Sequence, residues 1–345
     1  ISTKRDLCLR PVLTLKSVQD ALCVRECVLK LQLRFIEKIM ENKYAIGIDI
    51  GGTNIRAAIV SDKGEIIKKI KEKSSGDIVS AIYKSVENLF TENIEGIGFA
   101  VAGLIDYQKG SVLVSPNLPS IEGEDFVNKL SARFNLPVII ENDANAAAYG
   151  ELCAGAGKNY SDFVLLTLGT GIGGGIIYNK KLMNVSAEIG HMSINSEGKK
   201  CLCGNYGCLE SYASARAIIS SAIAFLQNGK KSILKEQNNN YKKITAEEIF
   251  RAAKDGDLLS IEVFKNAGKF LGIGISNIIN ILSPEAVILT GGLTGAWDIY
   301  VKEAITIASE RAFKHLFKRT KIIKSELADN AGIIGATGLV FNRQV

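Results

Sequence analysis

IGIDIGGTNIRAAIV, residues 46–60, is an apolar run that ends in an aspartate, two glycines and a threonine before a second apolar run begins. The β-branched residues on both sides of Asp49, Gly51, Gly52 and Thr53 read as two strands joined by a glycine turn. Glycines there bare backbone N–H groups and carry no side chain to block an oxyanion, which suits a nucleotide phosphate. Asp49 cannot hydrogen-bond phosphate at neutral pH, but a carboxylate beside a triphosphate is placed to hold a hydrated Mg2+. Taken alone, the same residues serve equally as a tight structural turn.

Working outward, a strand at Ile66–Glu72, a helix near Ile78–Thr91, a strand at Ile97–Val101, a helix at Glu124–Phe134 and a strand at Val138–Glu141 complete an α/β unit. The opening pattern then recurs as VLLTLGTGIGGGIIY at residues 164–178, so two strand–glycine–strand hairpins stand about one domain apart and imply an internal duplication. The predicted organisation is an N-terminal α/β lobe over 44–160, completed by a last helix within 331–345, and a second α/β lobe over 161–330. The second lobe carries a helical insertion from about Leu209 to Ser283, with Thr245 and Glu248 spaced as a capping box. A strand returns at Ala286–Thr290.

The chain has 345 residues, 47% of them hydrophobic, enough for two packed domains with a cleft between them. The two long uncharged stretches, Phe163–Asn179 and Phe270–Pro284, are interrupted by glycines or polar residues and read as buried core, not membrane. No secretory leader is visible at the start, so a cytoplasmic location is expected. Of the +6 net charge, +4 comes from residues 1–39, which hold eight Lys/Arg against four Asp/Glu, and a nucleic-acid surface is not implied. Residues 1–39 contain no glycine, and Met40 directly precedes the first strand. Residues 1–43 are therefore expected to be an extension, with Met40 the biological start or, alternatively, a genuine helical addition.

Three further groups carry chemistry. Gly169, Thr170 and Gly171 open a hairpin with more glycine than a turn requires, and Gly291-Gly292 follow the apolar strand AVILT, where open α/β sheets place ligands. At Asn142–Asp143 a strand gives way to a helix of small residues, so Asp143 faces a cleft from a strand's C-terminal edge. It can take a hydroxyl proton during phosphoryl transfer, or serve as a helix N-cap. Finally, His191, Cys201, Cys203 and Cys208 form a compact three-thiol, one-imidazole set that matches a closed tetrahedral Zn2+ site of structural type. Glu188 and Glu210 flank it. Folding around the metal would bring Glu188, His191 and Glu210 together as a hydroxyl-recognising cluster, unless the two carboxylates are merely surface groups.

DIGGT, LGTGIGGG, EIGH at 188–191, CLCGNYGCLE at 201–210 and LTGG at 289–292 stand in the order of the ROK family of repressors, open reading frames and sugar kinases, and the resemblance spans Tyr44 to Phe341. It implies a two-lobed, ribonuclease-H-like ATPase fold of the actin and hexokinase type, with ATP in the interdomain cleft. It also implies that Asp143 is the catalytic base and that Asn117, Asn142, Glu188, His191 and Glu210 contact a sugar, with Gly103 in the pocket wall. SPNLP at 115–119, followed by Ile121-Glu122-Gly123, is similar to bacterial glucokinases of the family, which favours glucose over N-acetylmannosamine or another hexose. A homodimer or homotetramer is the family habit. Family repressors carry a longer N-terminal winged helix-turn-helix, and residues 1–39 have no such turn, so DNA binding is not expected.

Overall fold

β1 (Tyr44–Ile50) pairs antiparallel with β2 (Asn54–Ser61), bringing Asp49 opposite Arg56 and Ile50 opposite Ile55, so the glycine segment is the turn between them. This is a computed structural model of the chain, and it describes residues 43–52, 54–74, 76–115, 118–237 and 243–342. The expectations for residues 1–39, Thr53 and Asn117 lie outside the described residues. β3 (Ile66–Lys73) extends the hairpin, and β4 (Ile94–Val101) and β7 (Val138–Asn142) add in parallel, giving the order β3-β2-β1-β4-β7. Ile46, Ile48 and Ile50 are fully buried, each contributing about 1.5–3 kcal/mol through removal from water.

Helix α1 (Ile78–Leu89) starts at Asp77, whose carboxylate accepts from the Ser80 N–H, and buries Ile82, Val86 and Leu89. Helix α2 (Phe126–Phe134) starts at Asp125 and ends at Asn135, which takes the left-handed conformation at φ 52°. Between them lies a short hairpin, β5 (Leu104–Asp106) and β6 (Ser111–Val114), absent from the sequence reading because such brief strands show no alternation.

The second sheet repeats the plan. β8 (Phe163–Leu168) and β9 (Ile172–Tyr178) form an antiparallel hairpin extended by β10 (Lys181–Leu182), and β11 (Ala286–Thr290) and β12 (Lys321–Lys324) add in parallel. Helices separate β10 from β11: α4 (Glu210–Ala213), α5 (Ala215–Gln227), α6 (Ile233–Gln237), α7 (Ala246–Lys254) and the long α8 (Leu258–Leu282). The Thr245–Glu248 capping box forms at the start of α7, and Asp257 caps α8. Two more helices, α9 (Lys302–Arg311) and α10 (Lys314–Arg319), precede β12. Among the described residues, no helix is long and apolar enough to cross a membrane.

Two helices join the halves, α3 (Asp143–Ala154) and α11 (Ala331–Asn342). Their backbones nearly touch: a Cβ on Gly335 would lie 1.7 Å from the Ala146 carbonyl oxygen, and one on Gly150 would lie 2.1 Å from that of Ala331. α11 rests on the first sheet through Gly47 and Gly98, where a Cβ would meet the carbonyls of Ile333 and Ala336 at 2.6 and 2.2 Å. α3 lies on the β8–β9 hairpin, since a Cβ on Gly175 would come within 2.6 Å of the Ala144 carbonyl. Glycines on sheets and helices thus set how closely the halves approach.

Candidate active site

The three glycine turns lie at the C-terminal ends of β1, β8 and β11, where parallel α/β sheets leave a crevice. In the first, the Gly51 N–H donates to the Asn54 carbonyl (3.1 Å), the Ser74 hydroxyl donates to the Gly51 carbonyl (2.7 Å), and Gly52 is exposed. In the second, the Gly169 N–H donates to the Gly171 carbonyl at 3.0 Å, and a Cβ on Gly169 would meet nothing within 4 Å. Thr170 is exposed, and its carbonyl accepts from Arg216 Nε at 3.3 Å. The third lies beside the second because Thr290 of β11 pairs with Thr167 of β8. Gly291 adopts φ 94° and packs against the Leu168 carbonyl, while Gly292 has open space at its Cβ position.

Part of the glycine density has a packing cause. Cβ atoms on Gly173, Gly174 and Gly175 would meet Thr167 Oγ1 at 2.7 Å, Ile189 Cδ1 at 2.5 Å and the Ala144 carbonyl at 2.6 Å. Gly171 is likewise occupied, by Glu210 Oε2 at 2.3 Å from a would-be Cβ. Gly169 and Gly292 are left facing open space, and Gly52 is exposed.

Asn142, not Asp143, caps α3: its Oδ1 accepts from the N–H groups of Ala144 (2.9 Å) and Asn145 (3.2 Å), while its Nδ2 donates to the Gly103 carbonyl (3.1 Å). Both ends of the Asn142 amide therefore hold the turn itself. Gly103 takes φ 152°, and a Cβ there would strike the Val114 carbonyl at 2.3 Å. Asp143 is relieved of capping and heads the helix, with Oδ1 accepting from the Ala144 N–H at 2.9 Å. Burial pushes its carboxyl above the ordinary carboxylate range, against the lowering effect of that hydrogen bond.

At the end of β1 in the same sheet, Asp49 is pushed up to about 6, first by burial and then by the negative charge of Asp143, with Arg56 opposing both. Arg56 Nη1 lies 3.2 Å from Asp49 Oδ2, and its Nη2 lies 3.2 Å from Asp329 Oδ2. Neither Arg56 nor Asp329 was singled out from sequence. The first was within reach, since a hairpin turning at 51–53 must place 49 opposite 56. Asp329 had no signal, because only the return of α11 brings it near.

His191, Cys201, Cys203 and Cys208 converge, their ligand atoms all within 4.8 Å of one another. Cys203 and Cys208 sulfurs are 3.7 Å apart, and Cys201 Sγ is 3.6 Å from His191 Nδ1. A tetrahedral ion with metal–sulfur bonds of about 2.3 Å needs sulfurs about 3.8 Å apart, so the set fits zinc. His191 faces this cluster with Nδ1, and its Nε2 is 3.9 Å from Glu188 Oε2.

Glu188 has its carboxyl raised, chiefly by burial; His191 opposes this, and the charges of Asp143 and Glu210 add to it. These four predicted residues therefore share one electrostatic neighbourhood. Glu210 has partners of its own: Oε2 accepts from the Ile172 N–H at 2.8 Å, and Oε1 lies 3.4 Å from Arg216 Nη2. It joins the cysteine loop to the second glycine hairpin.

The paired hairpins, their glycine turns and the two crossing helices define an α/β fold of the actin and hexokinase type. The chain belongs to the ROK family, which it matches over residues 45–343. It is 33% identical over 319 residues to the glucokinase of Halalkalibacterium halodurans, covering 87% of this chain and 96% of that one. It is 34% identical over 312 residues to the xylose repressor of Caldicellulosiruptor bescii, covering 86% of this chain and 78% of the repressor. A ROK family glucokinase from Streptomyces griseus, solved in complex with glucose and AMPPNP, superposes with a TM-score of 0.75 at 32% identity, over 87% of this chain and 99% of that one.

Proposed function

We propose that this protein is an ATP-dependent hexose kinase, with glucose as its favoured substrate and glucose 6-phosphate as its product. The observation that carries the reading is the position of Asp143. It heads α3 with Asn142 as the cap, is raised in basicity by burial, and is electrostatically coupled both to Asp49, beside a glycine turn suited to phosphates, and to Glu188 of the cluster suited to sugar hydroxyls. The Streptomyces griseus relative, which binds glucose and a nucleotide analogue, supports the pairing of ligands. In this reading residues 44–160 with the terminal helix form one lobe and 161–330 the other, and substrates meet between them.

Asp143 takes the proton of the C6 hydroxyl as that oxygen attacks the γ-phosphorus in line; the bond from phosphorus to the β,γ-bridging oxygen breaks and ADP leaves. Gly51, Gly52, Thr53, Gly169, Thr170, Gly171, Gly291 and Gly292 are assigned to the nucleotide. Asp49 would hold Mg2+, which supplies positive charge against the phosphates when bound. His191, Cys201, Cys203 and Cys208 would hold Zn2+, which supplies a rigid anchor for Glu188 and Glu210. Gly103, Asn117, Asn142, Glu188, His191 and Glu210 surround the sugar. Because a difference of one hydroxyl or methyl is not legible in these residues, N-acetylmannosamine and other hexoses stand as alternatives.

A panel of hexoses with ADP release coupled to detection tests the reading. Sugar-dependent ADP release is expected, strongest with glucose and lost in Asp143→Asn. A sugar-binding regulator would instead bind a sugar and release no ADP, and that result would overturn the proposal.

A further inference from the structure

Three donors from two segments of chain meet on a single carboxylate oxygen close to Asp143, and one of them ties in a third segment. Glu141 Oε1 accepts from the Tyr107 hydroxyl (2.6 Å), the Asn142 N–H (2.8 Å) and Asn145 Nδ2 (3.1 Å). Asn145 Nδ2 also donates to the Val185 carbonyl at 3.0 Å. Tyr107 stands in the turn of the β5–β6 hairpin, Asn142 caps the helix that Asp143 heads, and Val185 lies in the loop leading from β10 to Glu188. The base, a candidate wall of the sugar pocket and the approach to Glu188 are therefore tied to one side chain.

The arrangement is directional. Both neighbours of Asn145 Nδ2 are acceptors, so the amide cannot be reversed without setting oxygen against oxygen, and Asn145 is 1% exposed. The β5–β6 turn is braced internally, with Asp106 Oδ1 accepting from the N–H groups of Gln108 and Lys109 at 3.1 Å each, so it can shift as a unit. Its base is held through Asn142 Nδ2 to the Gly103 carbonyl and the Ser115 hydroxyl to the Ala102 carbonyl (2.7 Å). Tyr107 is 37% exposed, so its bond to Glu141 adds little to folding while fixing where the hairpin sits against the Asp143 turn.

We infer that Glu141 is a positioning residue for phosphoryl transfer, and that its bond from Tyr107 latches the β5–β6 hairpin onto the Asp143 turn so that sugar affinity and base alignment are set together. This rests on the hexose kinase reading. Releasing the latch loosens the sugar side of the cleft and lets water compete with the sugar hydroxyl, while the glycine turns on the nucleotide side are untouched.

The test is full steady-state kinetics on the whole chain carrying Tyr107→Phe, with ADP and sugar phosphate measured separately. The sugar KM is expected to rise about tenfold, the loss of one hydrogen bond, with the ATP KM within about twofold of wild type. ADP formed per sugar phosphate should rise above one, and the thermal midpoint should hold. Glu141→Gln keeps an acceptor oxygen and should restore most sugar affinity relative to Glu141→Ala. An unchanged sugar KM and product ratio in Tyr107→Phe would overturn the latch, as would sugar and ATP KM rising together with a fallen midpoint, the mark of a merely structural bond. Wild-type protein in the same assay separates the two failures. If it phosphorylates no hexose, the kinase reading fails and takes the latch with it; if it is active and Tyr107→Phe matches it, only the latch fails.

Discussion

The β1–β2 and β8–β9 hairpins share a strand–glycine–strand plan yet obtain their carboxylates differently. The first carries its own, Asp49, one residue inside the end of β1. At the equivalent place β8 has Thr167, whose hydroxyl accepts from the Gly173 N–H at 3.0 Å. Its carboxylate comes from Glu210 of the cysteine loop and is bound to the Ile172 N–H. Asp49 is thus buried and charged only at a cost, whereas Glu210 is tied to the Ile172 N–H and to Arg216. The first hairpin carries the carboxylate that the proposed function assigns to a cation; the second takes its carboxylate from a distant loop.

The largest effect is expected where both hairpins converge. Asp143→Asn should lower sugar-dependent ADP release by about 100-fold or more while circular dichroism and the thermal midpoint stay near wild type. Full retention of activity would remove the base from its assigned role.

Dependence of the second hairpin on the cysteine loop comes next. Cys203→Ser, or chelation of the wild type, should empty the metal site as read by zinc content, raise the sugar KM, and speed amide exchange in β8–β9 ahead of β1–β2. Equal protection of the two hairpins after metal loss would break the contrast.

Asp49 offers a test of opposite sign. Its carboxyl, at about 6 in the folded protein against an ordinary 3.8, penalises the folded state once charged: not at all below about pH 4, increasingly up to 6, and fully above. Asp49→Asn should therefore gain up to about 3 kcal/mol at pH 8, a figure already net of the Arg56 contact, with the gain fading toward pH 4 even as activity falls. Urea melts at the two pH values would show it, and a pH-independent difference would contradict it.

The smallest effect separates two glycines of one turn. Gly171→Ala presses a methyl onto Glu210 and should cost about 1–3 kcal/mol, whereas Gly169→Ala meets open space and should cost well under 1 kcal/mol in stability while reducing nucleotide affinity. Equal costs would mean that Glu210 is free to move aside.

Local pattern was enough for much of this. Both glycine hairpins, the strands at 138–142 and 286–290, the Thr245–Glu248 cap and the terminal helix were readable from periodicity and turn chemistry over short windows. The Cys/His set was readable too, because thiols and imidazole crowded into 18 residues leave few other purposes, and its ligand atoms do converge. The β5–β6 hairpin and β12 were not, being three or four residues each and stabilised by what they pack against. Nor was the division of labour at 142 and 143, since either residue type caps a helix well.

By itself, the sequence determined the longer strands and helices, where glycine bares the backbone, and which side chains can bind a metal or move a proton, because these depend on neighbours a few residues apart. Tertiary structure alone decided that Asp329 reaches Arg56, that Glu210 closes the second hairpin, and that Tyr107, Asn145 and Val185 gather around Glu141 beside the Asp143 turn. Apart from the local Asn145–Glu141 bond, those contacts join residues tens to hundreds of positions apart, so they exist only once the chain has folded back on itself.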